Sequence, residues 1–244
     1  MISPILQTDL HLGLVMGIAR GWHGIVCHNI TGHVIELNPR SFSFQEYYDA
    51  FHDRDYGRHL LSGKINPSLL NLKRLVRLDL SNNDFGGTHI PKFLGSPGSL
   101  KYLNLSRARI WRAFDWLELI NNALPSLVRL HLSYVNFLRF LHLSMSTFRN
   151  LIRLGIDSIL RYPTRLYGFS RLELLNLGFN NLQGEVSSAI ENMTSLIGLH
   201  LSSNDELEFN RGILASFKNL CNLKVLSFSS LKLKQDIAEV FEIR

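Results

Sequence analysis

Seven times along this chain a leucine opens the spacing Leu-x-x-Leu-x-Leu, at Leu75, Leu100, Leu127, Leu151, Leu172, Leu196 and Leu223; Ile156 and Phe228 take the last place in two copies. Successive openings are 25, 27, 24, 21, 24 and 27 residues apart. A period in this range marks a solenoid in which every coil contributes one short strand and a return path. Three positions before each opening stand Leu72, Pro97, Leu124, Phe148, Phe169, Met193 and Leu220, apolar side chains in every coil apart from the proline. That position was not used to find the repeat, so it checks the phase independently.

Each coil therefore directs about four large apolar side chains inward, each worth roughly 1.5–3 kcal/mol on burial. Ordering a backbone of about 24 residues costs roughly 1–2 kcal/mol per residue. One coil alone loses that contest. Only stacking on its neighbours makes the array stable, and such an array is a recognition surface rather than a catalyst.

The stretch 21–38 reads GWHGIVCHNITGHVIELN. It resembles the N-terminal cap of plant leucine-rich-repeat receptors, which ends Cys-Cys-x-Trp-x-Gly-Val-x-Cys and often continues Asn-x-Thr-Gly-His-Val. Trp22, Gly24, Cys27, Asn29, Thr31, Gly32, His33 and Val34 match, with Ile25 in the place of the valine. The paired cysteines would fall at Ala19 and Arg20, so the cap's usual disulfide has no partner for Cys27. Val34, Ile35 and Leu37 suit a first strand. The plant-type motif Leu-x-Gly-x-Ile-Pro is echoed at Leu61, Gly63 and Ile65, at Phe85, Gly87, Ile90 and Pro91, and at Leu182, Gly184 and Val186. Residues 115–127, DWLELINNALPSL, also look like an internal coil of this receptor group. The resemblance covers residues 21–234.

The expected fold is thus an α/β repeat: a leucine-rich-repeat solenoid with a curved parallel sheet and a mostly irregular or 3-10 convex side. Four segments follow: a degenerate N-terminal segment over 1–20, a partial cap over 21–38, an insertion over 39–60, and repeats over 61–244 without a C-terminal cap. The resemblance implies the first part of a longer receptor. Position nine of each coil is normally an asparagine that satisfies buried backbone groups of adjacent turns. Asn83, Asn180 and Asn204 keep it, whereas Ala108, Val135, Ile159 and Leu231 do not. An extra Leu138-x-x-Leu141-x-Leu143 intrudes on the coil opened by Leu127. The middle coils should accordingly be the least regular.

Composition bounds the partners. Lys+Arg 26 against Asp+Glu 20 gives a formal net charge of +6. The excess is dispersed, with no basic block or nucleic-acid motif, so no nucleic acid is expected. Cys27 and Cys221 lie at opposite ends of the array and should not pair. No apolar run approaches the roughly 20 residues that span a bilayer, and the best leader candidate, residues 12–19, lacks a basic flank. His131, His142 and His200 share a Leu-His-Leu context, but no acidic or cysteine cluster completes a metal set, so neither metal nor cofactor is expected. His52-Asp53-Arg54-Asp55 matches a kinase catalytic loop by letters alone, without its companion motifs. No catalytic residues are assigned.

In each strand, positions three, five and seven face away from the core, on the concave side. Arg77, Asp79, Tyr102, Arg129, His131, Arg153 and Asp157 are the candidate ligand-binding residues there, with Arg129 and Arg153 expected side by side. Arg and Tyr are enriched at binding hot spots. Asn29, Asn104 and Asn192 open Asn-x-Ser/Thr sequons, although a glycan on Asn104 would obstruct the concave face. The resemblance implies a plasma-membrane or extracellular recognition protein, defence-related, binding a protein or peptide ligand and a co-receptor kinase. A secreted inhibitor of a pathogen enzyme and a non-functional intracellular remnant of a receptor gene are the alternatives.

Overall fold

The computed structural model describes residues 24–39, 61–87, 91–95, 98–110, 126–135, 171–180, 182–186, 188–209, 213 and 216–233. Within them the leucine pattern becomes one strand per coil. After β1 (Ile25–Cys27) and β2 (Val34–Leu37) come β3 (Arg77–Asp79), β4 (Tyr102–Asn104), β5 (Arg129–His131) and β6 (Leu174–Asn176). β7 (Gln183–Glu185), β8 (Gly198–His200), β9 (Glu206–Phe209), β10 (Val225–Ser227) and β11 (Lys232–Leu233) follow. The principal sheet runs β1-β2-β3-β4-β5-β6-β8-β10, parallel throughout except for the antiparallel β1–β2 pair.

Pairing is position to position. Leu78, Leu103, Leu130, Leu175, Leu199 and Leu226 form one continuous row. The first five are essentially buried, as are Leu75, Leu100, Leu127, Leu172 and Leu196, and Leu80, Leu105, Leu132, Leu177 and Leu201. Met193 and Leu220, in the phase-checking position, are buried too. In the last described coil Leu223, Leu226 and Phe228 are only partly buried and Val225 is exposed; among the described residues β10 has a strand on one side only.

The return paths carry 3-10 turns at Pro67–Asn71, Lys92–Gly95 and Ser188–Asn192, as the repeat predicts. They also carry a second parallel sheet, β11-β9-β7, which the leucine pattern does not announce. β7 falls on the Leu182, Gly184, Val186 motif.

The retained asparagines bind their own coil and the one before it. Asn180 Nδ2 donates to the Leu177 and Leu132 carbonyls, while its Oδ1 accepts from the Val135 N–H. Asn204 Oδ1 accepts from the N–H groups of Asn180 and Leu182, and its Nδ2 donates to the Leu177 and Leu201 carbonyls. Asn83 Oδ1 accepts from the Leu61 N–H, and its Nδ2 donates to the carbonyls of Leu80 and Ser81.

This arrangement gives a physical reason for one departure from expectation. β5 pairs directly with β6, Arg129 lying opposite Leu174, so no rung separates the coils opened by Leu127 and Leu172. The Leu127 coil has Val135 in place of its own asparagine and relies on Asn180 for two backbone partners. Ile159 has no side-chain donor or acceptor with which to supply them. The expected coil opened by Leu151 lies outside the described residues, as do segment 1–20 and most of the insertion.

Position eight of every described coil adopts the left-handed conformation: Asn82, Arg107, Tyr134, Phe179, Ser203 and Ser230 have φ between 55° and 59°. The chain turns off the strand there. For a non-glycine residue the conformation costs roughly 1–2 kcal/mol, and for aromatic rings it is uncommon.

A candidate ligand surface on the odd face of the sheet

Positions three form a row in which Arg77 lies opposite Tyr102, Tyr102 opposite Arg129, and Arg129 opposite Leu174. The Arg77 guanidinium carbon sits 3.7 Å from the centre of the Tyr102 ring, a cation–π contact. On its other side Arg77 Nε is 3.9 Å from Glu36 Oε2, a weak pairing for side chains this exposed. Arg129 is exposed on the same row. The Tyr102 and His131 rings lie 5.3 Å apart and tilted, closing a patch of two cations and two rings.

Asp79 is engaged within the sheet. It faces the odd side but is only 5% exposed. Its Oδ1 accepts from the Ser81 N–H at 3.0 Å and the Ser81 hydroxyl at 2.6 Å. Its Oδ2 accepts from Asn104 Nδ2 at 3.0 Å and, at 3.4 Å, from the Tyr102 hydroxyl. Both carboxylate oxygens of Asp79 are thus engaged by neighbouring side chains and backbone. Asn104 Oδ1 and Asn176 Oδ1 accept in the same way from the N–H two residues on, in Ser106 and Gly178. An Asp or Asn two residues before Ser or Gly was the sequence signal for these turns.

Burial shapes the titration of the patch. Burial raises the Tyr102 pKa above its ordinary value, helped by the Asp79 charge and opposed by Arg77. Burial lowers the His131 pKa; Asp79 opposes this, while His200, Arg77 and Arg129 reinforce it. His200 stands two rungs from His131 with Asn176 between them, one rung nearer than the repeat count implied.

Arg153 and Asp157 lie outside the described residues, and Leu174 holds the place beside Arg129 where Arg153 was expected. Asn29 is exposed in the turn between β1 and β2, and Asn192 is exposed at the end of its 3-10 turn. Both ends of the Asn104 amide serve the sheet. Among the described residues no three His, Cys, Asp or Glu side chains group as a metal site, and no helix is long and apolar enough to cross a membrane. Cys27 and Cys221 are both free thiols.

One strand per coil, leucines inward and an asparagine between coils define a leucine-rich-repeat solenoid. Its resemblance is to the plant receptor-like proteins. Receptor-like protein EIX1 of Solanum lycopersicum is 32% identical over 200 residues, covering 75% of this chain and 18% of that protein. The Receptor-like protein Cf-9 homolog of the same plant is 29% identical over 228 residues, covering 90% of this chain and 24% of its own length. This chain thus spans less than a quarter of either relative. No family model matches it. Among solved structures, a plant ice-binding protein overlays 90% of this chain and 64% of its own with a TM-score of 0.50 at 19% identity, a likeness of fold alone.

Proposed function

We propose that this chain is part of the ligand-binding ectodomain of a plant cell-surface receptor-like protein, serving defence recognition. It takes an acidic peptide or protein ligand on the odd face and works with a co-receptor kinase. The observation that carries the reading is the row Arg77–Tyr102–Arg129: two arginines and a tyrosine, types enriched at binding hot spots, on successive rungs, with the Tyr102 hydroxyl donating to Asp79. An exposed arginine offers a planar fork that matches a carboxylate.

Equilibrium titration of labelled hexaglutamate against the full chain tests this. The double variant Arg77→Ala, Arg129→Ala should bind about thirtyfold more weakly, the scale of one lost hot spot. Equal affinity in the two proteins, or equal binding of hexalysine, removes the proposal.

Entry into the secretory pathway predicts glycans on Asn29 and Asn192. Expressed in plant cells, the chain should lose mass on treatment with an Asn-glycosidase. The double variant Asn29→Gln, Asn192→Gln should show no such loss. A residual loss would place a glycan on Asn104 and cover the proposed face, and a wild-type product without glycan would eliminate the extracellular reading.

A further inference from the structure

The odd face holds an imidazole that the sheet does not use. His131 stands at position five of β5, opposite Asn104 on β4 and Asn176 on β6. Its ring is half-buried and, among the described residues, neither ring nitrogen has a hydrogen-bond partner. The groups around it are already committed. The Asn104 and Asn176 amide oxygens accept from the N–H groups of Ser106 and Gly178, and Asn104 Nδ2 donates to Asp79. Ser81, Asn104 and Tyr102 engage both oxygens of Asp79. The charged and titratable groups facing the ring are Arg77 and Asp79 on β3, Tyr102 on β4, Arg129 on β5 itself and His200 on β8. On β6 the facing residues, Leu174 and Asn176, carry no charge.

We propose that His131 is a further contact for an anionic ligand and takes up a proton as the ligand binds, so that the odd face holds acidic chains more tightly as pH falls. The inference rests on the acidic-ligand reading of the Arg77–Tyr102–Arg129 row and adds its regulation. A neutral imidazole offers an anion one N–H, whereas the protonated ring offers two donors and a charge. In the free chain, burial holds the ring below its ordinary pKa; His200, Arg77 and Arg129 reinforce this, and Asp79 opposes it. An anion bound across Arg77 and Arg129 offsets those positive charges and gives the ring an acceptor, so the pKa rises in the complex. The complex then binds more protons than the free chain, and affinity grows as pH falls from the pKa of the complex to that of the free chain. Above that window the ring is neutral in both states and affinity is flat. Linkage makes the effect reciprocal: the ligand raises the pKa by the same coupling with which the proton strengthens binding.

The test uses a hexapeptide of cysteic acid, whose sulfonates stay ionised in acid where hexaglutamate begins to protonate. Equilibrium binding to the full chain should be about tenfold tighter at about pH 5 than at about pH 7.5, the lower end of a hydrogen bond to a charged group. His131→Asn places there the residue that both neighbouring rungs already carry, and it should lose most of this gain. His33→Gln, at an exposed histidine in the turn between β1 and β2, should keep the gain. In the wild type, the NMR titration midpoint of the His131 Cε1–H should move to higher pH when the peptide is added. A wild type without the gain, a gain that survives His131→Asn in full, or a midpoint that the peptide leaves unmoved overturns this inference alone. Binding that is indifferent to Arg77→Ala, Arg129→Ala at both pH values removes the odd-face reading, and this inference with it.

Discussion

Replacing Asn180 by leucine should lower the unfolding free energy by about 3 kcal/mol or more, seen as a fall in the urea midpoint. The volume change is small, so packing loss is minor. What disappears is a fully buried amide holding the Val135 N–H and the carbonyls of Leu132 and Leu177. A buried backbone group left without a partner costs roughly 1–3 kcal/mol. Two of the three groups belong to the neighbouring coil, so the damage should spread across the β5–β6 junction. Hydrogen exchange should quicken at Leu132 and Val135 as well as near Asn180. An unchanged midpoint would mean that other contacts hold these coils together.

Gly24→Ala should have a comparable effect, confined to the opposite end of the array. Gly24 has φ +80°, and a Cβ there would lie 1.8 Å from the Asn38 carbonyl oxygen. The approach is that close because the Asn38 N–H donates to the Gly24 carbonyl at 2.6 Å, tying the start of β1 to the end of β2. A methyl group must force these segments apart, and the left-handed backbone adds roughly 1–2 kcal/mol. We expect protection from exchange to be lost over β1 and β2 while the strands from β4 onward keep theirs. Retained protection at Ile25 and Cys27 would show that the hairpin tolerates the displacement.

The glycine illustrates what sequence could and could not reveal. Its place in the cap motif marked it, and the leucine rows likewise gave strand positions and face for every described coil. Both are local: a period of two along a strand and a recurring spacing between strands. The asparagines were legible for the same reason. Asp79 was not, because its burial depends on Ser81, Tyr102 and Asn104 closing over it from two rungs. The neighbour of Arg129 was not legible either. The repeat put Arg153 there by counting openings, whereas stacking is decided by which coil can satisfy Leu132 and Val135, and that coil carries Asn180. The second sheet went unannounced because its strands sit in the return paths, where no apolar period marks them.

The meeting of Tyr134 with Phe179 has a consequence for how such proteins diversify. The two rings touch across a junction between coils, and residues bridged there, such as Val135 and Asn180, are 45 apart along the chain. Gain or loss of a coil at that junction re-deals every cross-coil pair on the seam while leaving each coil's own residues untouched. Unequal exchange between repeats can therefore create or erase a stacked pair of this kind in a single event, without one point mutation in the residues that compose it.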